Sequence, residues 1–277
     1  MQTYTTLKIT CATNLFDILA AELYELGFDG FMEHEDGLEG YIDSSLFQQE
    51  HIYPLLAKYN IGSNQIIVKT IAQQNWNAEW ERNFEPVFIK DKVVVKAPFH
   101  NTVQNFPYVI TIQPKTSFGT GHHQTTNLMI QLMLDTDFKQ KNVFDFGSGT
   151  GILAIFASLL GSNQVQAIDI DNWAAENIIE NMRLNNLQGI VFKQCNLQLF
   201  EPNIDFDIIL ANINKNILLE SFNRLNALLK QGGTLLISGF YVSDLQVLKK
   251  NAATFGLQLK NWLQMDDWCA ARLEKTK

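Results

Sequence analysis

Cysteine is scarce in this 277-residue chain: Cys11, Cys195 and Cys269 are odd in number and widely separated. That usage argues against a disulfide framework and suits a reducing cytoplasm. No His/Cys cluster has zinc-ligand spacing. The only adjacent histidines, His122 and His123, have no nearby third ligand, so no metal site is expected. Long apolar runs are missing as well. The longest, Ile152–Leu160, is far short of the ~20 residues that span a bilayer, and Met-Gln-Thr-Tyr-Thr-Thr at the start shows no basic-then-apolar leader. A cytoplasmic chain with no membrane partner is the expectation. Positive charge is also in short supply, with 21 Lys and Arg against 29 Asp and Glu and a net charge of −8. Residues 1–75 carry ten acids against Lys8, Lys58 and Lys69, whereas the rest is nearly neutral. Affinity for a phosphate backbone comes from Lys and Arg, so direct nucleic-acid binding is not expected. An acidic first region could steer a basic protein or peptide, or could be a solvated face that aids solubility.

What is present is apolar substance: 46% of the residues are hydrophobic, enough for one large domain or two ordinary ones. The first 72 residues read as a small α+β unit. Tyr4–Thr10 has strand character. Asn14–Leu26 is an amphipathic helix with Phe16, Leu19, Leu23 and Leu26 on one stripe and Gly27 closing it. Phe28–Glu33 and Leu38–Ile42 suggest a hairpin around Asp36-Gly37. Leu46–Tyr59 reads as a second helix that Pro54 shortens or kinks, and Gln65–Ile71 as a closing strand. The order β-α-β-β-α-β is that of a ferredoxin-like split unit. Residues 73–90 follow as a helical linker, with Trp76, Trp80 and Phe84 four apart on one stripe. These aromatics suit burial against a domain, with a base-stacking or cation-binding platform as the alternative. Strands over Lys92–Ala97 and Tyr108–Ile112 open the second domain, 91–277.

From Lys141 the pattern alternates strand and helix, which implies a doubly wound, mainly parallel α/β sheet. Strands are expected at Val143–Phe146, Val165–Ile168, Ile190–Gln194, Phe206–Ala211 and Thr234–Ser238. Helices are expected at Ile152–Leu160, Trp173–Asn185, Asn216–Lys230 and Ser243–Phe255. Leu257–Gln264 and Trp268–Leu273 read as an antiparallel hairpin at the sheet edge, an ending typical of methyltransferases rather than dehydrogenases.

The most informative stretch is Asn-Val-Phe-Asp-Phe-Gly-Ser-Gly-Thr-Gly, residues 142–151. An apolar strand runs into Gly147, Gly149 and Gly151, which permit a sharp turn and close approach to a ligand. Asp169 ends the next strand, 22 positions after Gly147, where such a sheet offers a carboxylate to a ribose. A dinucleotide would place its pyrophosphate at the helix N-terminus under G-x-G-x-x-G. Here the third glycine is one position early, Ile152 stands where that pattern wants Gly, and Asp145 would repel phosphate. S-adenosylmethionine has no phosphate and carries an ammonium and a sulfonium, so an acid beside the turn fits it better.

Two further segments point to the same crevice. Ala211-Asn212-Ile213 ends the fourth strand, where an asparagine carbonyl can accept a hydrogen bond from an amine and aim its lone pair at a methyl group. A cap for the helix starting near Asn216 is the other reading of Asn212. Ser117-Phe118-Gly119-Thr120-Gly121-His122-His123-Gln124-Thr125-Thr126 places two glycines around a threonine and then hydroxyls opening a helix. It could fold over the methionine end of the cofactor or form a capped turn.

With these residues assembled, the chain resembles the bacterial methyltransferases of the eleventh protein of the large ribosomal subunit, over essentially its whole length. Three motifs carry the resemblance: Phe118-Gly119-Thr120-Gly121 with His123 and Thr125-Thr126, Asp145 through Leu153, and Ala211-Asn212-Ile213. The resemblance implies a class I methyltransferase sheet with a small N-terminal ferredoxin-like domain, and S-adenosylmethionine as methyl donor. It further implies transfer to lysine and N-terminal amines of that basic ribosomal protein. Thr126, Gly147, Gly149, Asp169 and Asn212 should contact the cofactor or line its site, with Asn212 catalytic. Asn196 is a weaker candidate beside the adenine. Asn-Ile-Asn-Lys follows Ala211 where amide and adenine methyltransferases carry Asn-Pro-Pro-Tyr, a departure that suits amine acceptors. A nicotinamide oxidoreductase and a non-catalytic cofactor-binding scaffold are the rival readings, and within the methyltransferase chemistry another protein, a small amine or RNA is the alternative acceptor.

Overall fold

The computed structural model describes residues 3–34, 36–72, 84–100, 106–114 and 123–276. Contacts divide the chain into two units, Met1–Asn83 and Phe84–Lys277. In the first, β1 (Thr3–Thr10), α1 (Phe16–Glu25), β2 (Gly30–His34), β3 (Gly37–Asp43), α2 (Gln49–Ala57) and β4 (Ile66–Ala72) follow the expected order. The strands form one antiparallel sheet ordered β2-β3-β1-β4. Period-two alternation in β1 and β3 sends Leu7, Ile9, Leu38 and Ile42 into one core with Leu19, Leu23 and Phe28. Pro54 lies inside α2, which continues to Ala57 and buries Ile52, Leu55 and Leu56. The missing amide of Pro54 removes one intrahelical bond, and burial of the apolar stripe holds the helix through it.

The second unit opens with β5 (Val87–Ile89), β6 (Val93–Lys96) and β7 (Tyr108–Thr111), a three-stranded sheet of its own. β5 corrects the last part of the helical linker expected over 73–90, at Val87–Ile89, while residues 73–83 lie outside the described residues. Val87 and Ile89 pair with Val95 and Val93 through a turn in which Lys90 and Asp91 both take positive φ, 48° and 51°. Two successive left-handed residues twist a hairpin in the sense its strands require. Of the aromatic stripe, Trp76 and Trp80 lie outside the described residues.

The main sheet comprises β8 (Asn142–Phe146), β9 (Gln164–Asp169), β10 (Ile190–Gln194), β11 (Phe206–Asn212), β12 (Leu229–Tyr241), β13 (Leu257–Met265) and β14 (Trp268–Lys275). Its order is β10-β9-β8-β11-β12-β14-β13. The five strands from β10 to β12 are parallel, and β14 runs antiparallel between β12 and β13. Both faces are covered. Val143, Val165, Ala167, Ile208 and Leu210 pack toward α3 (Gln124–Leu134), α4 (Ile152–Leu159) and α5 (Asn172–Leu184). Their neighbours Phe144, Ile168, Ile209 and Ala211 pack toward α6 (Lys215–Leu228) and α7 (Leu245–Thr254). Strands buried on both faces read as continuous apolar runs, which is why these segments stand out in the sequence. The chain steps from β8 to β9 in one direction and later to β11 in the other, so the crevice at the switch lies between the loops after β8 and β11. Among the described residues, no helix is long and apolar enough to cross a membrane.

Two asparagines one turn apart, Asn181 in α5 and Asn185 at its C-cap, fasten this frame. Asn181, buried, accepts from Gln113 N–H (2.8 Å) and donates to the Thr150 carbonyl (2.9 Å). Asn185 accepts from Thr111 N–H (2.8 Å) and donates to the Thr111 carbonyl (2.6 Å). The helix thereby holds both the end of β7 and the glycine turn. Asn181→Leu keeps the branched shape but removes the side-chain partner of the Gln113 amide and the Thr150 carbonyl, so it should destabilise the protein by about 2–4 kcal/mol in denaturant titration.

Candidate cofactor and acceptor site

The loop between β8 and α4 is closed by a carboxyl group from the strand itself. Asp145 is 1% exposed. It shares a face with Val143, and its Oδ2 accepts from Ala154 N–H (3.1 Å) in the first turn of α4. The helix N-terminus, where a pyrophosphate would sit, therefore already holds an acid. That geometry opposes a dinucleotide more firmly than the glycine spacing does. Asp145 Oδ1 and Ser148 Oγ are buried with no hydrogen-bond partner among the described residues. Unpaired polar atoms at this depth are costly unless a ligand or water meets them, so the turn fits a group with positive charge and donors, as the ammonium end of S-adenosylmethionine has. Burial pushes the Asp145 carboxyl up to about 7, the Ala154 amide opposes the rise, and the nearby Asp169 charge adds to it.

Asp169 stands at the end of β9, its Oδ2 accepting from Gly149 N–H (2.8 Å) and its Oδ1 from Asp171 N–H (3.1 Å). Gly147 and Ser148 both donate to the Ile168 carbonyl at 3.0 Å. The turn is thus laid across the end of β9. Asn196 uses its side-chain oxygen to cap a short 3-10 turn at Leu199 N–H (2.9 Å), and its neighbour Cys195 donates to the Asp169 carbonyl (3.0 Å).

On the other side of the crevice, Asn212 ends β11 and Thr126 lies buried in the first turn of α3. Asn212 Nδ2 lies 3.5 Å from Thr126 Oγ1, joining residues 86 positions apart. The helix-cap alternative for Asn212 is taken instead by Asn214, whose Oδ1 accepts from Ile217 N–H (3.1 Å). His123 caps α3, with Nδ1 accepting from Thr125 N–H (3.3 Å). The Phe118–Gly121 motif lies outside the described residues.

Ile213 links the two halves. Its N–H donates to the Ser238 carbonyl (3.1 Å). A Cβ on Gly239 would fall 2.3 Å from the Ile213 carbonyl oxygen, and one on Gly147 would fall 2.6 Å from the Ile213 side chain. Both glycines have positive φ, 93° and 73°. Gly147, Gly149, Asp169, Asn212 and Thr126 are thereby gathered at the carboxyl edge of the sheet by three contacts: Gly149 to Asp169, Gly147 to the neighbour of Asn212, and Asn212 to Thr126. Asn181, Ile213 and Gly239 were missed as supports. Gly239, following an apolar strand, was the only signal available, and its partner is remote in sequence.

A reversed seventh strand, an acid-capped glycine turn, and an acid ending the second parallel strand define the S-adenosylmethionine-dependent class I methyltransferases. The comparisons narrow that class. The family model for ribosomal protein L11 methyltransferase matches residues 6–276. A relative of that name from Porphyromonas gingivalis is 42% identical over 260 residues, 93% of this chain and 90% of its own. Another from Bacteroides fragilis is 38% identical over 266 residues, 95% of each. The crystal structure of the ribosomal protein L11 methylase from Lactobacillus delbrueckii subsp. bulgaricus superposes with a TM-score of 0.64 at 25% identity, covering 70% of this chain and 99% of that one. The chain belongs to the ribosomal protein L11 methyltransferase family.

Two predictions follow from the geometry. Asp145 holds its proton more tightly folded than unfolded, so its contribution to cofactor-free stability falls as pH rises from about 4 to about 7, then levels. Asp145→Asn should remove that decline, narrowing the difference in thermal midpoint between pH 5 and pH 8. Gly239→Ala should displace the Ile213 backbone and reduce methyl transfer about 100-fold, while a melt shows the fold retained.

Proposed function

We propose that the chain transfers methyl groups from S-adenosylmethionine to amines of the large-subunit ribosomal protein L11, at lysine side chains and the N-terminal amine. The observation that carries this reading is the meeting of Asn212 with Thr126 beside the acid-capped glycine turn. Family membership supports the chemistry and the acceptor. When bound, the cofactor supplies a methyl group on a sulfonium, open to direct attack by nitrogen. Asp169 would receive the ribose hydroxyls, and the Gly147–Gly151 turn would pack against the amino-acid portion. The unpaired oxygen of Asp145 would face its charge. Thr126 would line the pocket and fix the Asn212 amide plane. The Asn212 carbonyl would accept a hydrogen bond from the incoming amine and align its lone pair.

The nitrogen must arrive neutral. A lysine of ordinary pKa ~10.4 is only about one part in a few thousand neutral at pH 7, whereas an α-amine of pKa ~7.7–8.0 is far more accessible. Desolvation in the crevice favours the neutral form of either, with the proton leaving to water. The first unit, whose strand order is that of a ferredoxin-like split fold, would present the basic substrate through its acidic surface. That same balance disfavours direct binding to nucleic acid. A cytoplasmic location accords with a ribosomal protein as acceptor.

The test incubates the purified chain with labelled S-adenosylmethionine and ribosomal proteins from a strain lacking this activity, then locates the label by mass spectrometry. Label should appear on protein L11, and Asn212→Ala should lower kcat about 100-fold. Label on another acceptor, or cofactor binding without transfer, would overturn the assignment.

A further inference from the structure

Three aromatic rings cluster at the same sheet edge. Tyr241 ends β12 and Trp268 begins β14, and they pair in register with ring centroids 4.4 Å apart at 33°. His123, the cap of α3, meets the Trp268 ring edge-on at 4.7 Å and 70°. Tyr241 is 48% exposed, whereas Trp268 is half-buried and packs in part against the core, so the open face of the cluster is that of Tyr241.

Position ties the cluster to the reacting centre. Ser238 is the register partner of Asn212, and Tyr241 lies three residues further along the same strand, past the irregularity at Gly239. His123 lies one helical turn before Thr126, which contacts Asn212. Asp266 and Asp267, both exposed, form the turn before Trp268. Asp266 accepts from Gln124 (3.2 Å), and the Asp267 carbonyl accepts from Val242 N–H (2.9 Å). The two aspartates thus adjoin the ring cluster in sequence, and the Asp266 carboxylate reaches it through Gln124, the neighbour of His123.

We infer that Tyr241, Trp268 and His123 form an aromatic subsite that holds the methylated ammonium of the acceptor, an inference resting on the amine-acceptor reading above. Each transfer replaces an N–H donor with a methyl but leaves a cation at the pH of the cell. Hydrogen-bond acceptors lose their hold on such a group, whereas aromatic faces keep theirs and gain apolar contact. The flanking carboxylates add attraction without needing a donor. A lysine returning for a second methyl would thus be retained after the first.

The test uses the full chain and a short peptide carrying one trimethyl-lysine, whose binding needs no turnover. Affinity should fall about three- to tenfold in Tyr241→Ala and in Trp268→Ala, with Tyr241→Phe restoring it to within about twofold because the ring face remains. S-adenosylmethionine affinity should stay within about twofold in Tyr241→Ala, separating loss of the subsite from loss of the fold. Equal peptide affinity in wild type and both alanine variants, or no binding to wild type, would overturn the subsite. Methyl transfer to protein L11 is scored separately. Absent transfer with ring-dependent peptide binding would remove the acceptor assignment and leave the subsite standing.

Discussion

The hydrogen bond from the Ala154 amide to the Asp145 carboxyl is the constraint on which the catalytic unit depends. It ties the end of β8 to the first turn of α4 with one side chain, across the glycine turn. It also decides the ligand. A helix N-terminus favours an anion through its free amides and dipole, and here the protein supplies that anion from its own strand. Once ionised, that carboxyl would repel phosphate, and the oxygen that the helix leaves unpaired would face a cationic amino-acid group. The same fold that elsewhere holds a pyrophosphate is thereby turned toward a sulfonium cofactor.

Around that bond the site is over-determined. Asp169 holds the turn from the β9 side through Gly149, Asn181 holds it from α5 through the Thr150 carbonyl, and Ile213 presses on it from the β11 loop. Asn212 is fixed by the residue that follows it, clamped to Ser238, and meets Thr126 from a third element. Reaction geometry needs this kind of support, because an ångström of misplacement costs orders of magnitude in rate. Each support comes from a different secondary element, so no single loop carries the site alone.

Much of this was legible in the sequence because it rests on local rules. Doubly buried parallel strands read as apolar runs, the glycine turn announces itself, and Asp169 falls at the spacing of the next strand. Asn212 could be read as a helix cap or as a site residue, and only the position of Asn214 separates the two. What escaped is what depends on remote partners. Val87–Ile89 lies in a stretch whose aromatic spacing suggested a helix, and it becomes a strand by pairing with Val93–Val95 through a turn lacking the usual Asn-Gly or Asp-Gly signal. Helix α6 ends at Leu228, not Lys230, because β12 starts at Leu229, where it pairs with Phe206. Gly239 is explained by the Ile213 backbone 26 positions earlier, which no local pattern reveals.

The central claim is that this crevice takes an adenosyl cofactor through Asp169 and excludes a dinucleotide through Asp145. Calorimetric titration of the purified chain with S-adenosylmethionine and with NAD, repeated on Asp169→Ala, tests it most directly. The account predicts one-to-one binding of S-adenosylmethionine, no measurable binding of NAD, and a loss of about tenfold or more in the variant. Tighter binding of NAD, or unchanged S-adenosylmethionine affinity in Asp169→Ala, would contradict it.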